Sequence, residues 1–309
     1  MMKKCAVIGS INTDMVARTP RFPAQGESII GSVFRTEFGG KGANQAIALA
    51  RLGAEVCMAG KVGNDLFGKK YLEHLIEEKV NVDCVAVETG ETTGVADIWV
   101  ADSGENSIIS IPGANAKCDL DWLNAALERL SDCDIFLLQL EIPHETVGAA
   151  LKKLCEMGKT VILDPAPAVP LPAEWLACAD YITPNETELE ILTGDLPKNA
   201  TVEARIRRLV GESNRMVIHK RGAEGAFIGT KDGVLPVSGF KVKAVDTTAA
   251  GDTFNAGLAA GLAMGKPIEE CVRLANAAGA LAVTALGAQG CMPTLEMIRE
   301  RFGLNSSIF

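Results

Sequence analysis

No stretch of the 309 residues approaches the ~18–20 consecutive apolar positions of a membrane span. The apolar run at residues 5–9 is too short for a secretory leader. It leads directly into Asn12 and Asp14, so it reads as a first strand. The nine cysteines include no C-x-x-C pair, and their number is odd, which removes both a zinc-ligand spacing and a secreted disulfide framework. They are expected to be reduced thiols of a cytoplasmic protein, used as small core residues. Only three histidines occur, His74, His144 and His219, and none stands in a ligand or catalytic motif. Basic residues are outnumbered 30 to 39, and the net charge of −9 excludes an extended nucleic-acid surface, which needs clustered Lys and Arg. The G-x-x-x-x-G-K-[ST] phosphate loop and the G-x-G-x-x-G dinucleotide fingerprint are both missing.

What remains is a chain that is 48% apolar, enough to bury a large core without disulfides. Short apolar runs at 5–9, 56–59, 135–140, 161–164, 181–183 and 216–219 read as buried strands. Stretches of helical periodicity separate them at 42–52, 67–79, 120–130, 145–157, 186–192 and 202–210. That alternation predicts βα units and a mostly parallel sheet covered by helices on both faces. The tail reads as consecutive helices at 250–264, 268–284 and 295–302. Residues 28–38 and 92–111 break the rhythm. In the second, Val95, Asp97 and Trp99 alternate with Ala96, Ile98 and Val100 on either side of a turn near Asp102–Gly104, the mark of an antiparallel hairpin. With residues 12–17 these segments are expected to form a small β-sheet lid on a single domain spanning 1–309.

Chemistry concentrates where strands end or helices begin. In Asp246-Thr247-Thr248-Ala249-Ala250-Gly251-Asp252, three small residues open a helix, so backbone amides can approach an anion. Asp252 falls in the first turn, where the helix dipole favours an ionised carboxylate suited to act as a base. Phe38-Gly39-Gly40-Lys41-Gly42-Ala43-Asn44 is a second glycine-rich entry to a helix, with Lys41 and Asn44 as polar contacts. Asn12 and Asp14 follow the first strand as turn formers or ligands of vicinal hydroxyls. Glu141 ends another apolar run, and Asn185-Glu186-Thr187-Glu188 follows Pro184 as a helix cap or as a ligand set.

These motifs, in this order, resemble those of the ribokinase-like sugar kinase family, from residue 5 to beyond 293. The segment 246–253 resembles its anion-hole signature, 39–44 its glycine signature, and 185–188 its N-x-x-E element. The resemblance implies a three-layer α/β sandwich with a mostly parallel central sheet and a β-sheet lid. It further implies ATP-dependent phosphorylation of D-ribose at the 5-hydroxyl, with Asp252 as general base and the Ala249, Ala250 and Gly251 amides as the anion hole. Carried over, the sugar contacts fall on Asn12, Asp14, Gly40, Lys41, Asn44, Glu141 and Asp252. The nucleotide contacts fall on Asn185, Glu188, Lys220, Gly222, Gly225, Gly251 and Asn276. Magnesium accompanies ATP, held largely through water near Asn185 and Glu188. An activating monovalent cation, potassium foremost, involves Asp246, Thr248, Ala282, Ala285, Gly287 and Cys291. Two residues depart from the family pattern: Lys220 stands where threonine is common, and Cys291 where serine is frequent. Deoxyribose, another sugar or a nucleoside is the alternative substrate, and an inactive sugar-binding regulator the alternative outside enzymes. A homodimer joined lid to lid is also expected, with Ile98 and Trp99 in or near the contact.

Overall fold

The computed structural model of the chain describes residues 2–303. Nine strands form one sheet in the order Gly233–Ser238, Gly225–Thr230, Met216–Lys220, Tyr181–Ile182, Thr160–Leu163, Ile135–Leu138, Cys5–Ile8, Val56–Gly63, Asn81–Glu88. From Met216–Lys220 to Asn81–Glu88 every neighbouring pair is parallel. Only the hairpin at the first edge is antiparallel. Of the expected strands, that at 135–140 is shorter than its apolar run. The chain leaves the sheet after Leu138, and Leu140 N–H binds the Ala166 carbonyl instead. Three strands escaped the sequence pattern: Asn81–Glu88, Gly225–Thr230 and Gly233–Ser238. Asn81–Glu88 and Gly233–Ser238 lie at the two sheet edges, where solvent on one side breaks up the apolar run that marks a central strand, while Gly225–Thr230, paired on both sides, has its apolar run interrupted by Gly225 and Gly229.

Because side chains alternate along a strand, each central strand feeds two cores. Val7 and Leu137 point into one with the helices Lys41–Arg51, Ala250–Ala263 and Ile268–Ala282. Ile8 and Leu138 point into the other with Leu120–Arg129, His144–Glu156 and Val202–Val210. Each large aliphatic side chain so buried contributes ~1.5–3 kcal/mol. The Ala250–Ala263 helix is buried nearly all round, and its small residues allow this. A Cβ on Gly257 would meet the Ala275 backbone at 2.7 Å, so the two tail helices pack backbone to backbone.

A second sheet of four strands, ordered Val33–Gly39, Asn12–Thr19, Gly94–Ala101, Asn106–Ile111, stands apart from the first. The hairpin read in 92–111 is present, and Asn12–Thr19 runs parallel to its first strand. Within 28–38 only the part from Val33 onward is strand. The register pairs Asp14 with Ala96 and Val16 with Ile98, so Ile98 shares a face with Asp14. Trp99, its neighbour in sequence, points to the opposite face. One sheet face therefore presents only one of these two residues. The opposite face carries exposed Phe34 and Ile109. No helix among the described residues is long and apolar enough to cross a membrane.

Candidate active site

The carboxyl ends of the parallel strands converge on one region, where open α/β sheets bind ligands. The helix Ala250–Ala263 starts there. Its cap residue Ala249 has left-handed geometry at φ 57°, a strained conformation for a residue bearing a Cβ. The Ala250 amide closes a 3.3 Å turn onto the Thr247 carbonyl. Among the described residues, the Ala249 and Gly251 amides are the donors of the three left without a protein acceptor. Of the three amides expected at the anion hole, that of Ala250 thus already meets a distant acceptor within the chain.

Asp252, in the first turn, is 4% exposed. Its carboxylate accepts Asn44 Nδ2 at 2.9 Å and Gln45 Nε2 at 3.1 Å. Both donors come from the helix Lys41–Arg51, whose entry is set by Gly40 at φ 86°, where a Cβ would lie 2.6 Å from Asn12 N. Burial raises the Asp252 pKa to about 6, with Asp164 adding to it, while Lys41 and the two amide donors hold it from rising further. Gln45 also donates to Asp164 at 2.9 Å, so its one buried carboxamide bridges the two acids, and its Oε1 accepts from Gln139 at 2.6 Å.

Lys41 is opposed by burial, yet Asp252, Asp164, Glu141 and Glu188 together hold it charged and push its pKa up. Glu141 accepts Ser10 Oγ at 2.5 Å and the Lys41 backbone amide at 3.0 Å. Asp14 lies near the same group. Burial, then the charges of Glu141, Glu37 and Asp252, raise its pKa to about 7. Asn12 is oriented by Asn115, whose Nδ2 donates to Asn12 Oδ1 at 2.7 Å and so leaves the Asn12 amide hydrogens to face outward.

On the other side, Lys220 Nζ lies 2.9 Å from Asp164 Oδ1 and 3.6 Å from Glu188 Oε2, and 3.6 Å from where a Cβ on Gly251 would sit. Its ammonium therefore faces the anion hole. Burial works against its charge, but Asp164 and Glu188 outweigh burial and raise its pKa. Asn185 caps the helix Glu186–Leu192 in a reciprocal capping box with Glu188, at 2.7 and 2.9 Å. The capping reading and the ligand reading of this segment thus describe the same carboxylate. Beyond Lys220, Gly222 and Gly225 bracket a short turn, and Asn276 donates to the Val237 and Ser238 carbonyls at 3.2 and 3.3 Å. Behind the anion hole, Asp246 accepts from Thr248 N at 2.9 Å and Gly287 N at 3.0 Å, while Val245 N binds the Val283 carbonyl at 2.7 Å. These bonds bring the 245–248 turn against the 282–291 loop. Cys291 Sγ donates to the Leu286 carbonyl at 3.0 Å.

Sequence reasoning missed Ser10, Gln45, Asn115, Gln139, Asp164 and Gln289. Each is a common polar residue whose signal is burial, and burial becomes visible only once the strands are assembled. His219 is buried in the core, with Nδ1 at 3.2 Å from the Pro184 carbonyl, and His74 stacks on Phe38 at 4.1 Å.

An acid near neutral pKa beside a helix-terminal anion hole, with a charged lysine at its rim, is the equipment of phosphoryl transfer. The relatives agree. The chain is 41% identical over 300 residues to the ribokinase of Bacillus subtilis (strain 168), covering 97% of this chain and 99% of that one. It is 37% identical over 303 residues to the deoxyribokinase of Salmonella typhi, covering 97% and 99%. Its fold matches the structure of Arabidopsis thaliana ribokinase complexed with ribose and ATP at a TM-score of 0.90 and 34% identity, over 99% of this chain and 100% of that one. Residues 2–295 match the model of the pfkB family carbohydrate kinases, and the chain belongs to that family.

Proposed function

We propose that the protein transfers the γ-phosphoryl group of ATP to the 5-hydroxyl of D-ribose. The observation that carries this reading is Asp252, a buried carboxylate with a pKa of about 6 at the mouth of the anion hole. The ribose oxygen attacks the γ-phosphorus, its O–H proton passes to Asp252, and the bond to the β-phosphate oxygen breaks to release ADP. Free backbone amides of Ala249 and Gly251 and the Lys220 ammonium face the charge that moves across the phosphoryl group. Asn12, Asp14, Gly40, Lys41, Asn44 and Glu141 form the sugar side. Asn185, Glu188, Gly222, Gly225 and Asn276 form the nucleotide side. The small sheet acts as a lid over the sugar on a single domain.

Among the described residues, no group of three or more ligating side chains gathers to hold a metal. The hard oxygens of Glu188 and Asn185 suit magnesium arriving with the nucleotide and keeping most of its water. When bound, that ion neutralises phosphate charge.

A monovalent cation behind the anion hole would hold its backbone in place, with Asp246 and Thr248 on one side and Ala282, Ala285 and Gly287 carbonyls on the other. Cys291 offers a soft sulfur already donating to Leu286, so it is a poor ligand for such an ion. Turnover in potassium is expected to exceed that in a bulky organic cation by at least ~10-fold at matched ionic strength, given what preorganised donors are worth. Equal rates in the two salts exclude activation.

The test of the whole reading is ADP release over a panel of sugars with ATP and magnesium. Ribose is expected to lead. A site built to bond a hydroxyl rejects an analogue lacking it by ~10⁴ or more, so deoxyribose is expected to trail far behind. The deoxyribokinase relative keeps deoxyribose as the second reading, and a panel led by deoxyribose establishes it. The nine free cysteines suit a reducing cytoplasm. The exposed apolar residues of the small sheet suit a homodimer through that sheet. Sedimentation at micromolar concentration is expected to give twice the chain mass, and Phe34→Lys to return it to the monomer.

A further inference from the structure

Gln289 belongs to no sequence motif and lies between the helices Ile268–Ala282 and Leu295–Phe302, yet it is 6% exposed. Its Nε2 donates to Asn44 Oδ1 at 2.9 Å and to Tyr71 OH at 2.7 Å. Its Oε1 lies 2.9 Å from His74 Nε2. The backbone around it is clamped as well. Arg51 Nη1 donates to the Gln289 carbonyl at 2.5 Å, and Arg51 is itself held by Glu78 at 2.6 and 2.8 Å.

A carboxamide has two N–H donors and one carbonyl, and this arrangement uses all of them. Tyr71 gives its only hydroxyl hydrogen to the Gly39 carbonyl at 2.6 Å, so toward Gln289 it can only accept. Both amide hydrogens of Gln289 are thereby committed, and His74 must present its Nε2–H to Oε1. The consequence reaches Asn44. With its Oδ1 taken by Gln289, Asn44 has only Nδ2 to turn toward Asp252, and that atom lies 2.9 Å from Asp252 Oδ2. Were the Asn44 amide turned over, an oxygen would face the carboxylate instead, and two acceptors would repel.

We propose that Gln289 is a positioning residue for the proton acceptor: it fixes which end of the Asn44 amide faces Asp252 and so keeps that carboxylate ionisable and aimed at the substrate hydroxyl. The proposal rests on the reading of Asp252 as the base. Through Tyr71 and Gly39 the same carboxamide also ties the base to the glycine-rich wall of the sugar site. One side chain thus sets the spacing between the group that takes the proton and the loop that holds the sugar.

A residue that only filled space would leave the ionisation of Asp252 alone, and this separates the two roles. The groups facing Asp252 are Lys41, Asn44 and Gln45 from one helix and Asp164 from the carboxyl end of the central strand Thr160–Leu163, with Asp14 and Tyr71 also in electrostatic reach. Removing the Asn44 donor costs the ionised form, so the acidic limb of kcat/KM moves to higher pH.

The experiment compares Gln289→Glu and Gln289→Met with wild type and Asp252→Asn. Glutamate keeps the size but cannot donate to Asn44, whereas methionine keeps the length without imposing an acceptor. Gln289→Glu is expected to lower kcat by ~10–100-fold, the scale of a misplaced catalytic group, with KM for ATP within threefold. Gln289→Met, which keeps the test open should the buried glutamate unfold the protein, is expected to lose ~3–10-fold on the same grounds. The acidic limb shifts upward in each folded variant. Wild-type kcat in Gln289→Met, or a lowered kcat with an unmoved acidic limb, overturns the proposal. If Asp252→Asn is inactive while both Gln289 variants behave as wild type, only the positioning role fails. If Asp252→Asn itself stays active, the reading of the base fails and takes the positioning role with it.

Discussion

Asp252→Asn is expected to lower turnover by ~10²–10⁴-fold, the usual contribution of a positioned general base. Ribose and ATP affinity should change by no more than a few-fold. Asparagine fills the same volume and can still accept one hydrogen bond, but it cannot take the proton from the sugar. The anion hole and Lys220 stay in place, so a residual rate from positioning alone survives. The pH profile supplies a second signature. Asp252 is protonated, and inactive as a base, below its pKa of about 6. Wild-type kcat/KM therefore climbs as pH rises through that value and levels off above it. The residual activity of the asparagine variant loses that limb. Steady-state rates from pH 5 to 9 with calorimetric ribose binding measure both. Turnover within threefold of wild type would remove Asp252 from the chemistry.

Lys220→Met is expected to damage both the fold and nucleotide binding. Lys220 and Asp164 are 12% and 2% exposed at the side chain, so removing the ammonium strands a carboxylate in a nearly dry setting. Breaking a buried pair from one side costs ~3–5 kcal/mol. Urea unfolding at pH 8 reads that loss directly. The double variant Lys220→Met/Asp164→Asn removes the stranded charge, and most of the stability should return. Nucleotide binding should not return with it, because the cation facing the anion hole is still missing. A KM for ATP raised at least tenfold in both variants assigns Lys220 to the phosphates. If the double variant regains wild-type KM, Lys220 is only the counter-ion of Asp164. Two acidic neighbours, Asp164 and Glu188, offset the cost of burying the Lys220 charge.

The parts of the site legible in the sequence are those where backbone geometry leaves a compositional trace. A helix whose first turn is Ala-Gly-Asp, and a loop of Gly-Gly-Lys-Gly, are visible because only small residues permit the close approach seen at Gly40 and the exposed amide at Gly251. The central strands were equally legible, because burial on both faces produces continuous apolar runs. The edge strands were not. Asn81–Glu88 is largely half-buried or exposed, so its pattern is broken by polar residues. The supporting carboxamides were silent for a different reason. Gln45, Gln139 and Gln289 are ordinary helix and loop residues by type. Their meaning comes from partners 94 to 245 residues away in the chain. Lys220 was legible as a departure, but its role depended on Asp164, which the sequence showed only as the end of a strand.

The strand Asn106–Ile111 is the outer edge of the small sheet, with every residue exposed and the sequence Asn-Ser-Ile-Ile-Ser-Ile. It carries no charge, no proline and no bulge, the usual guards against pairing with a stranger. An uncovered edge of this kind is a template for aggregation. Chains with this edge unpaired are the population at risk of precipitating, the more so the higher their concentration. A lysine at Ile109 would then improve solubility of the isolated chain while leaving the central sheet untouched.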